Sequence, residues 1–288
     1  MRPSLPRAGR RHDRRTLRVR IVVKNTTSEQ GEILAASTQE VAEGVYRFAD
    51  GIVNWYIVVE DGELMLVDAG WPRSWPRIER AVGELGYATA DINNVALTHG
   101  HPDHLGGAEK ARRESGATVR AYSGEVARVR GEAKGSSPIS MVPGLVPELR
   151  RPAALKFVME ATMQGFLTPA WVKEVEPFEA DVKLDLPGRP RAIRTPGHTE
   201  GHVSLHFAER GVVIGGDALL TLNPLSREEG PCAPPDPVNS DSAQARRSLE
   251  ALEQIEAETL LPGHGEPWHD GVATAATRAR ERASERAA

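Results

Sequence analysis

Thr98-His99-Gly100-His101-Pro102-Asp103-His104-Leu105-Gly106-Gly107 is the stretch on which the reading of this chain turns. Three histidines and an aspartate fall within six residues, directly after Val95-Ala96-Leu97-Thr98, which reads as a short buried strand. Alternate residues of an extended segment point the same way, so His99 and His101 can share one ion. Pro102 then forces a turn, and Asp103 and His104 beyond it can reach a second. Neutral imidazole and carboxylate suit zinc, manganese or ferrous iron, whereas the one cysteine, Cys232, sits far along the chain in a proline-rich loop.

The same setting recurs elsewhere among the nine histidines. His198 and His202 lie in Thr195-Pro196-Gly197-His198-Thr199-Glu200-Gly201-His202, and His264 in Leu261-Pro262-Gly263-His264-Gly265. Each group borders a strand-like run and is flanked by Gly or Pro, and loops fixed at the ends of a rigid sheet are where ligands are presented. His202 either hydrogen-bonds near such a site or opens the next strand. His206 reads as structural, and His12 and His269 as solvent-facing.

Outward from these loops, residues 45–48, 53–59 and 63–67 read as a strand meander, with a turn at Glu60-Asp61-Gly62. Helical spacing covers 78–85, with Gly86 as the stop, and again 105–115, followed by a strand at 118–122. Residues 131–180, rich in Pro, Met and Leu with a helix over 153–164, interrupt this rhythm as an insertion that packs on the body or forms a lid over a pocket. A second β-rich half has strands at 182–186, 191–194, 202–207 and 211–215, a proline-rich loop at 223–239, a helix over 242–255 and a last strand at 259–261. Two β-rich halves with helices outside predict an α/β fold, an αβ/βα four-layer sandwich of two mixed β-sheets with outer helices. The expected organisation is a basic, disordered extension at 1–40, one domain at 41–275 containing the 131–180 insertion, and a charged tail at 276–288.

The decad at 98–107 resembles the signature loop of the metallo-β-lactamase superfamily in its His-x-His-x-Asp-His form. Residues 195–202 resemble that family's third-histidine motif, Gly215-Gly216-Asp217 its metal-bridging aspartate, Pro262-Gly263-His264 its last ligand, and Val67-Asp68-Ala69-Gly70 an early strand-end motif. The resemblance runs from about residue 43 to 269. It implies His99, His101 and His198 on one metal, Asp103, His104 and His264 on a second, and Asp217 bridging, with Asp68 orienting the ligand loop from behind. The cofactor so implied is a pair of divalent ions, zinc first, with manganese or iron as alternatives. Such a pair, roughly 3.5–4 Å apart, lowers the pKa of a bridging water to about 7, and the resulting hydroxide is the implied nucleophile. Asp103 could then also guide a proton to the leaving group as a catalytic residue.

The bridging aspartate makes the chain look more like glyoxalase II or the lactonases than like true β-lactamases, and so implies cleavage of an ester, thioester or lactone in a small acyl substrate. Two alternatives remain open on the sequence: a mononuclear iron persulfide dioxygenase of the same fold, using two histidines and one aspartate, and a non-catalytic metal-binding protein.

Composition narrows the rest. No Gly-x-Ser-x-Gly elbow, Gly-x-x-x-x-Gly-Lys loop or His-Glu-x-x-His motif occurs. The first 24 residues carry eight arginines and Lys24 against Asp13, so the remainder is more acidic than the overall net charge of −4. An acidic body repels a phosphodiester polymer, and no nucleic-acid partner is expected. No apolar run approaches the roughly 20 residues of a membrane span. A single cysteine forms no intrachain disulfide, which points to the cytoplasm. The oligomeric state is not legible.

Overall fold

The computed structural model of the chain describes residues 39–285. Runs that are apolar at nearly every position become strands buried on both faces, because successive side chains on a strand point to opposite sides. In β3 (Val53–Glu60), Trp55 and Ile57 enter an outer core while Tyr56 and Val58 enter an inner one. In β4 (Glu63–Val67), Leu64 and Leu66 face out and Met65 and Val67 face in.

These two strands extend an antiparallel meander begun by β1 (Gln39–Ala42) and β2 (Val45–Asp50). Helix α1 (Trp75–Glu84) then carries the chain to β5 (Ile92–Leu97), parallel to β4. Two short helices, α2 (Pro102–Leu105) and α3 (Ala108–Glu114), lead to β6 (Thr118–Tyr122). After α4 (Val126–Val129), α5 (Val142–Leu145) and α6 (Pro152–Met163), strand β7 (Glu176–Phe178) completes a seven-stranded sheet in sequence order.

The second sheet comprises β8 (Arg191–Arg194), β9 (Val203–Phe207), β10 (Val212–Gly216) and, after the crossover, β13 (Thr259–Pro262), in the order β13-β10-β9-β8. A small hairpin of β11 (Leu220–Leu222) and β12 (Glu229–Cys232) precedes helix α7 (Ser242–Glu253), whose N-terminus is capped by Asp241 accepting the Gln244 N–H at 2.9 Å. The last helix is α8 (Val272–Glu285).

Three apolar interfaces stack the layers. One lies between the first sheet and α1 and α3, one between the two sheets, and one between the second sheet and α7 and α8. Each fully buried large side chain among them, such as Phe207 or Leu261, contributes about 1.5–3 kcal/mol. The αβ/βα sandwich expected from the sequence is the fold observed. Among the described residues no helix is long and apolar enough to cross a membrane.

Several boundaries differ from the sequence reading. Residues 182–186 form only an isolated bridge, Lys183 to Arg191, instead of a strand. The helix expected over 105–115 is split at Gly106–Gly107, where the backbone presses so close to Trp71 and Pro72 that a Cβ on Gly106 would meet Trp71 carbonyl carbon at 2.0 Å. The 131–180 insertion rejoins the body by Val172, which with Val175 is buried in the outer core before β7. The 223–239 loop contains β12. The tail expected at 276–288 is, as far as Glu285, the outer part of α8, which buries Ala276 and Ala279 on the second sheet. Of the basic extension at 1–40, all but Gln39 and Glu40 lies outside the described residues.

Candidate metal centre

The carboxyl ends of β5, β8, β10 and β13 meet along one edge of the paired sheets, and each delivers part of the histidine and aspartate cluster. His99 and His101 follow β5, and Asp103 and His104 lie on α2. His198 follows β8, Asp217 follows β10 and His264 follows β13. All seven are buried, none more than 5 % exposed, although they span more than 160 positions of chain. Their donor atoms form three groups able to hold a metal: His99, His101 and His198; His99, His104 and Asp217; and Asp103, His104 and His264. Shared members make these one continuous cluster.

Hydrogen bonds behind the cluster decide which nitrogen of each ring faces inward. Thr98 Oγ1 donates to Asp68 Oδ2 at 2.8 Å and accepts from His99 Nδ1 at 3.0 Å, which turns His99 Nε2 to the centre. His104 Nδ1 donates to the same Asp68 oxygen at 2.8 Å, and Asp68 Oδ1 accepts the Thr98 N–H at 2.8 Å. Asp68 therefore orients two rings at once, and it reaches under the loop from a left-handed backbone with φ 57°. His198 Nδ1 donates to Asn239 Oδ1 and His264 Nδ1 to the Ile52 carbonyl, both at 2.9 Å. His101 Nδ1 and His198 Nε2 converge at 2.8 Å.

His202 lies behind Asp217. It donates from Nδ1 to Thr195 Oγ1 at 2.9 Å and accepts the Asp217 N–H on Nε2 at 3.0 Å. It thus both precedes β9 and fixes the backbone that presents Asp217. His206 is half-buried on β9, and exposed His269 touches Thr259.

The inward-facing atoms are short of partners. His99 Nε2, His104 Nε2 and Asp217 Oδ1 are buried and form no hydrogen bond, although His104 Nε2 lies 3.3 Å from that oxygen. Buried polar atoms are almost always paired, so three orphans converging from the ends of two strands, β5 and β10, fit a metal-binding centre. Closeness is built into the backbone here: a Cβ on Gly263 would lie 2.0 Å from Asp217 Oδ1.

Electrostatics agree with that fit. Burial, reinforced by neighbouring imidazoles, holds His99 well below the usual histidine range, and burial with His198 and Arg128 does the same for His101. Both are neutral, as ligation requires. For His104 burial acts downward, but the carboxylates of Asp217, Asp103 and Asp68 carry it well above its ordinary value. His264 is raised by Asp217 and Asp103 against burial, and Asp217 is held well below the carboxylate range by His264 and His104 despite burial.

One contributor has no signature in the sequence. Glu125, 1 % exposed, accepts the Gly100 N–H on Oε1 at 2.8 Å and the Gly201 N–H on Oε2 at 2.9 Å, so a single carboxylate joins the two histidine loops. Burial pushes it up to about 7, while the two N–H groups and Arg128 act to lower it. A lone Glu in Ser-Gly-Glu-Val carries no spacing pattern that could have marked it. Asn54 was equally silent: its Nδ2 donates to the Pro262 and Gly265 carbonyls at 2.9 and 2.7 Å, and so ties the His264 loop to the first sheet.

Over the cluster lies a cavity of about 140 Å3. His101, Asp103, His198, Asp217 and His264 form its floor, and Met141, Leu145, Phe157 and Phe166 of the insertion wall it.

The model of the metallo-beta-lactamase superfamily matches residues 49–264. The probable metallo-hydrolase YflN of Bacillus subtilis is 28 % identical over 242 residues, 79 % of this chain and 86 % of its own. A hydroxyacylglutathione hydrolase of Cereibacter sphaeroides is 26 % identical over 73 % of this chain and 62 % of its own length. Among solved structures, the metallo-beta-lactamase family protein TTHA1429 of Thermus thermophilus superposes with a TM-score of 0.60 at 25 % identity, covering 85 % of this chain and 80 % of that one. BJP-1, a subclass B3 metallo-beta-lactamase of Bradyrhizobium japonicum, shares the fold with a TM-score of 0.60 at 18 % identity over 86 % and 92 % of the two chains. With the family model spanning most of the described residues and the motif-bearing loops meeting at one centre, the chain belongs to the metallo-beta-lactamase superfamily.

Proposed function

We propose that this protein is a dinuclear metallo-hydrolase that cleaves an ester, thioester or lactone bond of a small molecule. The observation that carries the reading is the set of buried, partnerless atoms, His99 Nε2, His104 Nε2 and Asp217 Oδ1, under an apolar cavity. His99, His101 and His198 would hold one ion, Asp103, His104 and His264 the other, with Asp217 between them. Zinc suits this nitrogen- and oxygen-rich donor set, with manganese or iron as substitutes. When bound, the ions supply Lewis acidity and lower the pKa of water to about 7.

The chain's own residues do the rest. Asp68 and His202 orient ligands, and the insertion shields the reacting carbonyl from bulk water. Water adds to the carbonyl carbon, the acyl–oxygen or acyl–sulfur bond breaks, and an acid and an alcohol or thiol are released. Asp103, which lines the cavity floor, would hand the proton to the departing heteroatom. Asp217 supports a place nearer the glyoxalase II and lactonase branch than the β-lactamases. A mononuclear iron site would use three donors and leave other buried ones without a partner, which burial penalises. A chain with one cysteine suits the cytoplasm.

Elemental mass spectrometry on protein purified without added metal, with rates on a thioester, a lactone and a phosphodiester, tests the reading. About two zinc or manganese ions per chain, acyl cleavage and an inactive Asp217→Ala are expected. One iron per chain with oxygen uptake on a persulfide and no hydrolysis would overturn it.

A further inference from the structure

The cavity is charged on its floor and, Thr162 apart, apolar elsewhere. Among the described residues no lysine or arginine lines it. The arginines of the neighbouring cavity, Arg151, Arg246 and Arg282, each face an acid already: Glu148, Asp236 at 2.8 Å and Glu228 at 2.7 Å. Buried Arg128 is turned toward Glu125 and the Gly135 carbonyl. A carboxylate carried by the substrate away from its scissile bond would therefore lose water against Phe157, Phe166 and Leu145 and gain no cation. Val142 and Leu167 line the cavity and are also 43 % and 47 % exposed, so the apolar wall continues to the mouth. Apart from Val182, every exposed large apolar side chain among the described residues lies between 139 and 167.

From this wall we infer the substrate class, resting on the hydrolase reading above: the group borne on the scissile carbonyl is an uncharged alkyl or aryl group. About six carbons are enclosed, since a cavity near 150 Å3 holds one benzene molecule, and a longer chain emerges between Val142 and Leu167. The walls thereby select against thioesters and lactams that carry a carboxylate on the acyl side.

The test is a series of 4-nitrophenyl esters from acetate to decanoate on the zinc-loaded protein, with the 4-nitrophenyl monoester of glutaric acid as charged counterpart of the valerate. Each methylene up to hexanoate should raise kcat/KM about fourfold, with a plateau beyond. The glutarate should run about 30-fold or more below the valerate. Phe157→Ala should flatten the chain-length dependence. Should that variant fail to fold, Thr162→Lys, on the exposed side of α6 where it borders the cavity, should narrow the gap between neutral and charged esters about tenfold or more. Hydrolysis-independent binding to the metal-free protein, measured by calorimetry, should tighten from acetamide to hexanamide.

A flat or falling dependence from acetate to hexanoate, or a glutarate cleaved as fast as the valerate, overturns the inference and leaves the hydrolase reading intact. If the metal-loaded protein cleaves no ester, thioester or lactone, the hydrolase reading fails, and the two amides still decide what the cavity prefers.

Discussion

Glu125→Gln preserves the size of the side chain and alters only what it can accept. Both carboxylate oxygens now take a backbone N–H, from Gly100 at 2.8 Å and from Gly201 at 2.9 Å. An amide has one oxygen, so in either orientation its NH2 group opposes one of those N–H groups. A buried hydrogen bond is lost and a donor is left unsatisfied, at a cost of about 1–3 kcal/mol. Arg128, 4 % exposed, also loses the carboxylate 3.6 Å from its Nε. We expect a total of roughly 2–4 kcal/mol, which for a domain of this size lowers Tm by about 4–16 °C. Because the severed link joins the His99–His104 loop to the His198 loop, zinc affinity should fall about 10–100-fold, as for groups that orient ligands from behind. Melting of the metal-free protein and competition with a zinc chelator measure the two effects separately. A lowered Tm with zinc affinity within about twofold of the parent would show Glu125 to be a brace with no part in placing ligands, and would refute the reasoning.

Burial holds the Glu125 carboxyl at about 7 against an ordinary 4.5, so the folded state binds its proton more tightly than the unfolded state. That contribution is fully present below the unfolded value and is lost as pH rises through the folded one, a fall of up to about 3 kcal/mol between pH 4.5 and 7. Metal-free Glu125→Gln should lack this fall, and parallel pH profiles of Tm for parent and variant would count against it. Asp68→Ala removes acceptors for Thr98 N, Thr98 Oγ1 and His104 Nδ1 and should weaken zinc about 10–100-fold in chelator competition, with an unchanged affinity counting against its orienting role. Truncation at residue 275 exposes the surface that Ala276 and Ala279 cover and should lower Tm by several degrees, whereas a merely appended tail would leave melting unaltered.

The loop at 98–104 announced its chemistry because four donors within six residues are a local pattern, and strand ends flanked by Gly or Pro announced where His198 and His264 would be presented, whereas Asp217 was marked only by the family resemblance. The two-sheet sandwich was legible for the same reason: continuous apolar runs such as 53–59 and 63–67 must bury both faces, and that requirement is written in one short segment at a time. Residues 182–186 show the limit, since a strand-like run keeps only a single bridge to the outer edge of β8. Charge misled at 276–285, where alanines spaced for one helix face outweighed their arginine and glutamate neighbours.

Taken alone, the residue order determined the histidine- and aspartate-rich loops, the nitrogen and oxygen chemistry they offer and the layered architecture, since each follows from patterns a few residues long. Only the tertiary structure decided which ring nitrogen faces the centre, that Glu125 ties two loops together across 25 and 76 positions, and that the cavity wall is free of cations among the described residues. Those features depend on contacts between segments distant in the chain, and a hydrogen bond or a cavity wall exists only after folding brings its two sides together.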